Sequence, residues 1–228
     1  MTSSIPGHAP SAPGSEPRSA PVAHISRGAL AANARRAWES GSRSFTPSVL
    51  EADAWGHGAG LVLEVLEAQG FSRDAAARTS ALSPAVLYGL PAAPEPARPV
   101  LRLTGTVLSV KDLRAGEGVS YGYAYRAPAD TRVALVTGGY AQGVVRQLGG
   151  AVDVAIAGER HPIVGRVAMD VCVVEIRDAA VSRGDEVLFL GDPAKGEPSL
   201  ADWSRATRLR DGELIATVGL RAIREVAP

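Results

Sequence analysis

Few side chains in this 228-residue chain could supply an amine, a thiol or a metal ligand. Lys111 and Lys195 are its two lysines; the other 22 of its 24 basic residues are arginine. Imine chemistry on a lysine therefore has two candidates, and both stand beside turn residues, Lys111-Asp112 and Lys195-Gly196, where a solvated lysine is the ordinary reading. Cys172 is the single cysteine, which excludes an intrachain disulfide framework and a cysteine-based zinc site. It lies in an alternating apolar run, the setting of a buried structural thiol. His8, His24, His57 and His161 show no metal-ligand spacing. Gly56-His57-Gly58 suggests a phosphate loop but lacks the spacing and the lysine of a P-loop.

The chain that must hold these groups carries 24 acidic and 24 basic residues, a formal net charge of zero. That balance argues against a nucleic-acid or anionic-membrane partner, which calls for a basic excess. With 46% hydrophobic and 21% charged residues the chain can build a core, and no apolar run is long enough for a membrane span. Residues 1–21 hold five prolines, five serines and two glycines, too little apolar surface to offset ordering entropy, and read as a disordered tail. The tail lacks the pattern of a secretory signal, so a cytoplasmic address is expected.

From Val22 the pattern changes. Ser26 can cap a helix to about Trp38 with Leu30, Ala34 and Ala37 as its apolar stripe. A short extended run is expected at Ser48–Glu51, a turn at Gly56–Gly58, and a helix over Gly60–Gln69 ended by Gly70. Pro84–Leu90 reads as a short apolar strand, and Pro91–Pro99, with four prolines, as a linker. Strands are expected at Val100–Val110, Gly118–Tyr125, Thr131–Thr137, Val152–Ala157, Ile163–Ile176 and Glu186–Leu190. Gly158-Glu159 is a candidate two-residue hairpin turn with glycine first. Val167–Ile176, apolar apart from Asp170 and Glu175, reads as a central strand covered on both faces. Ser199 to about Arg208 can form a capped helix, and the arginines between Arg205 and Arg224, interleaved with acids, read as a solvated face.

Six blocks, in order, resemble the alanine racemase family. Val49-Leu50-Glu51-Ala52-Asp53-Ala54-Trp55-Gly56-His57-Gly58 is similar to the family's first barrel strand, V-V-K-A-(D/N)-A-Y-G-H-G, and Leu87-Tyr88-Gly89-Leu90 to the end of its last. Val119-Ser120-Tyr121-Gly122 resembles the V-S-Y-G around the catalytic tyrosine, and Gly139-Tyr140-Ala141-Gln142-Gly143 resembles G-Y-A-D-G. Pro162–Asp170 resembles P-I-V-G-R-V-x-M-D, and Gly184-Asp185-Glu186-Val187 the strand after it. The resemblance implies a mainly β protein: an alanine-racemase-type C-terminal β domain over 98–228, preceded over 22–97 by a small α/β remnant of a (β/α)8 barrel. A barrel of that kind needs roughly 200 residues or more. Val22 to Ala97 is 76 residues, so an internal deletion is expected.

The resemblance also implies chemistry: interconversion of L- and D-alanine on pyridoxal phosphate, whose ring takes up electrons when the α-proton leaves. In the family the cofactor is held as an imine on a lysine, and that lysine and a tyrosine from the partner subunit's β domain are the two bases. Here Tyr121 stands at the tyrosine position and Glu51 at the lysine position. A carboxylate cannot form an imine. Met169 stands where the family offers a backbone N–H to the substrate carboxylate. Trp55 replaces a phosphate-contacting tyrosine, Leu82 an arginine facing the pyridine nitrogen, and Pro84 a phosphate-binding glycine. Leu220 replaces a second phosphate-contacting tyrosine, with Arg221 and Arg224 kept, and Gln142 replaces an aspartate. A cofactor-free route needs two thiols, and Cys172 is alone.

Three readings follow: a racemase-like protein inactive alone, an interaction module that pairs with a full-length alanine racemase and supplies Tyr121 in trans, and an active racemase. Expected partners are a second copy or a full-length racemase, and a small amino acid where a site survives. The β-domain surface that faced the barrel is expected to be covered by the Gly60–Gln69 helix or by self-association.

Overall fold

The computed structural model describes residues 18–74, 76, 81–94 and 97–228, so the expected tail lies almost wholly outside the described residues. Strand β1 (Val22–Ser26) leads directly into helix α1 (Arg27–Glu39). Ser26 caps that helix, its Oγ accepting from the Ala29 N–H at 3.1 Å, and Leu30, Ala34 and Ala37 are buried as the stripe requires. Asn33 is buried on the same face. Its amide donates to the carbonyls of Leu87 and Arg98 and its oxygen accepts from the Arg98 N–H, so a polar side chain pins the later chain to α1.

Between β1 and the β-rich half, the described residues hold two two-residue strands, β2 (Ser44–Phe45) and β3 (Ser72–Arg73), paired in parallel. Two such strands cannot close a barrel. The run expected to be extended at Ser48–Glu51 is a 3-10 turn over Pro47–Leu50, because Pro47 at its start fixes φ for a helical turn. Helix α2 (Ala59–Gln69) ends at Gly70 with φ 93°, as expected. It packs chiefly on α1, joined by the Arg27–Glu64 ion pair. Pro84–Leu90 is a helix, α3 (Pro84–Tyr88), and not a strand: Pro84 takes the first helical position after Ser83, and Gly89 stops the turn with φ 65°. Residues 95 and 96 of the proline-rich stretch lie outside the described residues. Its ends meet, since a Cβ on Gly89 would lie 1.9 Å from the Arg98 carbonyl oxygen, and the Val100 N–H donates to Tyr88 O.

Strands β4 (Leu101–Leu113), β5 (Gly118–Val119), β6 (Tyr125–Arg126), β7 (Thr131–Thr137), β8 (Asp153–Ile156), β9 (Glu159–Val164), β10 (Val171–Glu175) and β11 (Glu186–Leu190) follow. Six of them close into a barrel-like sheet in the order β11-β8-β9-β10-β7-β4, with β4 also pairing β11. Long β4 serves both ends of the closure by bending at a bulge between Val107 and Ser109. Gly105 makes the corner possible, for a Cβ there would lie 2.4 Å from Thr137 O.

Two expected strands divide. Gly118–Tyr125 is a small hairpin of β5 and β6 around a 3-10 turn at Tyr121–Tyr123. Ile163–Ile176 splits into β9 and β10, and β10 is central in the sheet, with Cys172 and Val174 buried on one face and Val173 half-buried against Leu113, Val133 and Val164 on the other. The β8–β9 turn places Ala157 and Gly158 at its centre with φ 50° and 85°, the pattern of a type I′ turn and not of a turn that takes glycine first.

Helix α4 (Leu200–Thr207) is capped by Ser199 as expected. The arginines between Arg205 and Arg224 are all exposed, as expected, and the stretch that carries them holds helix α5 (Asp211–Arg221), with Leu214, Ile215 and Val218 buried, and strand β12 (Ile223–Ala227). β12 runs parallel to β1, and β1 runs antiparallel to β4, so the first and last strands both extend the β domain's sheet. The protein is thus mainly β, with a small helical and two-stranded portion on its N-terminal side.

Candidate functional site

Three of the motif blocks converge. The Ser120 hydroxyl accepts from the Arg166 N–H at 2.9 Å, which ties the Val119–Gly122 turn to the Pro162–Asp170 segment. That segment in turn meets the Gly139–Gly143 turn. Tyr140 N–H donates to Ala168 O, Ala141 N–H to Met169 O and Gly138 N–H to Asp170 O, at 2.9–3.0 Å. Gln142 joins in with both ends of its amide, donating from Nε2 to Asp170 and accepting at Oε1 from the Gly139 N–H. The glutamine in place of the aspartate is therefore built into the turn. Gly139 itself touches Met169 backbone, a Cβ there lying 2.1 Å from Met169 O.

At this junction Tyr121 is 74% exposed and Met169 54%. Tyr123 stands exposed beside Tyr121, its ring lying across Gly118 and within 5.5 Å of the Arg126 guanidinium. The Met169 N–H has no acceptor among the described residues. A cavity of about 520 Å³ opens alongside, lined by Tyr125, Pro162, Gly165, Arg166 and Glu175 among others. Tyr125 donates to the Glu175 carboxylate at 2.7 Å; burial, aided by that carboxylate, pushes the phenol up to about 12. A second cavity of similar size lies under Tyr88, Leu90, Leu200 and Ile215; it takes in the Leu87–Leu90 block but shares no residue with the three converging blocks.

The Glu51 block is shaped by its backbone. Ala52, Asp53, Ala54 and Trp55 all have φ between 48° and 55°, a turn of left-handed helix built from residues that ordinarily avoid it. Its neighbours hold it. Gly58 N–H donates to Asp53 O, Asp53 Oδ1 accepts from the Ala59 N–H, and Arg224 donates to both Asp53 and Gly56 O. The Ala59 N–H, ahead of the Arg224 guanidinium, holds the Asp53 carboxyl below the usual carboxylate range. His57 is buried and stacked on Tyr88 at 4.2 Å; its Nδ1 is bonded to Ala54 O and its Nε2 has no partner. Burial pushes this imidazole down to about 4, so it is neutral.

Glu51 leads into this turn as an exposed carboxylate. Trp55 points its Nε1–H at Ser48 O, 2.9 Å away, and packs on Gly212 of α5. Leu82 is buried, and Pro84 opens α3. Lys111 and Lys195 are both exposed in the β domain. Cys172 is buried, with its thiol pushed up to about 12. No cluster of three or more His, Cys, Asp or Glu that could hold a metal occurs among the described residues.

The element that joins the two halves of the site is α5, which sequence reasoning missed. A Cβ on Gly219 would lie 2.6 Å from Gly56 Cα, and one on Gly143 would lie 2.8 Å from Val218 Cα. The left-handed turn and the Gly139–Gly143 turn thus seat on consecutive residues of one helix. Its signal was present in the spacing of Leu214, Ile215 and Val218 and in Glu213, whose carboxylate accepts from the Arg210 N–H at the helix start.

The sequence profile described as alanine racemase, C-terminal domain, matches residues 100–226. The alanine racemase of Mycobacterium leprae is 45% identical over 126 residues, covering 52% of this chain and 32% of that protein, and the one from Thermobifida fusca is 39% identical over 127 residues, covering 56% and 34%. The matched stretch spans about a third of the length of these relatives. Among solved structures, the alanine racemase of Streptomyces coelicolor A3(2) superposes with a TM-score of 0.79 at 19% identity, covering 91% of this chain and 98% of that one, a likeness of fold. The enzyme from Bartonella henselae, solved with covalently bound pyridoxal phosphate, gives 0.76 at 16% identity, covering 91% and 99%. The chain belongs to the alanine racemase family, by way of the C-terminal domain that carries Tyr121 and Met169.

Proposed function

We propose that this protein is an alanine racemase relative that does not racemise alanine by itself, and that its β domain serves by pairing with a full-length alanine racemase. The carrying observation for the first half is the Glu51 turn. The residues there do not fit pyridoxal phosphate. A carboxylate stands where an imine-forming amine is needed, the Trp55 indole is spent on Ser48 O and Gly212, and Pro84 has no N–H to give a phosphate. Close contact of Gly56 with Gly219 leaves the turn no room to shift. The two exposed lysines stand on other elements than this turn, Lys111 in β4 and Lys195 in the turn after β11.

What favours the pairing reading is the exposure of Tyr121, Tyr123 and Met169 together on an otherwise well-anchored junction. In that role Tyr121 is the side chain offered in trans, and Met169 offers its unengaged N–H to the carboxylate of a small amino acid. The work is done in the cytoplasm.

A racemase assay with spectral titration of pyridoxal phosphate tests both halves. The isolated chain is expected to give no turnover and no visible imine band. Added to a full-length alanine racemase, it is expected to co-purify, with turnover lowered by Tyr121→Phe in the small chain. Turnover by the chain alone refutes the first half; no association and no Tyr121 dependence refute the second.

A further inference from the structure

The turn that carries Tyr121 holds its backbone in a conformation that serine rarely adopts. Ser120 has φ 67° and ψ 171°, a region occupied almost solely by glycine. Such strain persists only where the surroundings over-determine it, and here they do. The Ser120 hydroxyl accepts from the Arg166 N–H at 2.9 Å. Its Cβ and Oγ fill the flank left open by Gly165, where an added Cβ would lie 2.3 Å from Oγ. Ser120 O accepts from the Tyr123 N–H, which closes the turn, and the Tyr123 ring lies on Gly118. Below the turn, Val119 and Tyr125 pack on Leu113, Ala127, Val133 and Val164. Tyr121 itself makes no side-chain hydrogen bond among the described residues and is 74% exposed, so the backbone alone fixes the direction in which its side chain leaves the turn.

The geometry points to Ser120 as a positioning residue: wedged between Arg166 N–H and the bare flank of Gly165, it sets the strained φ that aims Tyr121 outward. This rests on the reading of Tyr121 as the group offered to a partner, and it adds how that offer is made. The Cα–Cβ bond is pre-aimed, which lowers the backbone ordering entropy a partner must overcome on binding. A relaxed serine, with φ of the ordinary sign, would carry the Tyr121 Cα–Cβ bond to another direction.

The test uses the full chain labelled with 3-fluorotyrosine, the Tyr121 signal being assigned by Tyr121→Phe. Ser120→Gly removes both wedge and strain, Ser120→Ala removes the hydroxyl but keeps Cβ, and Gly165→Ala pushes the wedge out. In Ser120→Gly the Tyr121 fluorine line is expected to narrow at least about twofold, with Tyr88 and Tyr140 unchanged and no fall in Tm. A serine with only a structural part would lower Tm and disturb the other tyrosines as well. An unchanged Tyr121 line in folded Ser120→Gly overturns the inference, and Ser120→Gly decides it even where Gly165→Ala fails to fold. Because the readout needs no partner, it separates from the pairing reading: loss of racemase binding in the native chain sinks that reading while the fluorine line still judges Ser120.

Discussion

Gly56 and Gly219 meet backbone to backbone: a Cβ on Gly219 would lie 2.4 Å from Gly56 O, and one on Gly56 would lie 2.6 Å from Gly219 Cα. This contact joins the left-handed turn to α5, and Arg224 closes it from outside by donating to Asp53 at 2.6 Å. Gly219→Ala is expected to cost about 2 kcal/mol by overpacking. Arg224→Ala is expected to cost about 1 kcal/mol, since its ion pair is more than a third exposed and screened by solvent. Urea unfolding of the two variants checks the order: Arg224→Ala costing more than Gly219→Ala would show that the ion pair, and not the close approach, holds the turn.

Acid stability is expected to follow His57. Its folded value, about 4, lies below the 6.5 of an unfolded histidine, so the unfolded chain takes up the proton first. Stability is level above pH 6.5 and falls as pH drops from there toward 4, by roughly 1.4 kcal/mol per unit at the steepest. His57→Gln should flatten that slope relative to the native chain when urea midpoints are compared at pH 7 and pH 5.

Cys172 is expected to be inert. A buried thiol held near 12 presents almost no thiolate at pH 8. A disulfide reagent should leave the native chain unmodified over an hour and titrate about one thiol per chain in guanidinium, following the rate of unfolding. Rapid native labelling would show the β10 face to be open.

Restoring the amine is not expected to restore the reaction. Glu51→Lys places a lysine ahead of the left-handed turn, yet Trp55, Leu82 and Pro84 still withhold the contacts that hold the cofactor's ring and phosphate. D-alanine formation should stay at background with added pyridoxal phosphate. Measurable turnover by this variant would show that the missing amine alone silences the chain.

Local chemistry was readable without coordinates where one residue governs its own stretch. Ser26 and Ser199 cap the helices they precede, Gly70 ends α2, and the alternation of Thr131–Thr137 is a strand end to end. The family blocks were legible for the same reason, because glycines and a few side chains in fixed order leave a linear trace. Proline misled twice: Pro47 and Pro84 each begin a helical turn in stretches whose apolar residues suggest extension.

Sequence alone determined the absence of an amine at position 51, the β-rich C-terminal half and the order of its motifs. Tertiary structure alone decided that Val22–Ser26 and Ile223–Ala227 pair with each other, since a parallel partner two hundred residues away leaves no periodic mark on either strand. It also decided that α5 seats both turns of the site and that Ser120 wedges beside Gly165, because close approach of backbone is a property of two segments at once and neither encodes it alone.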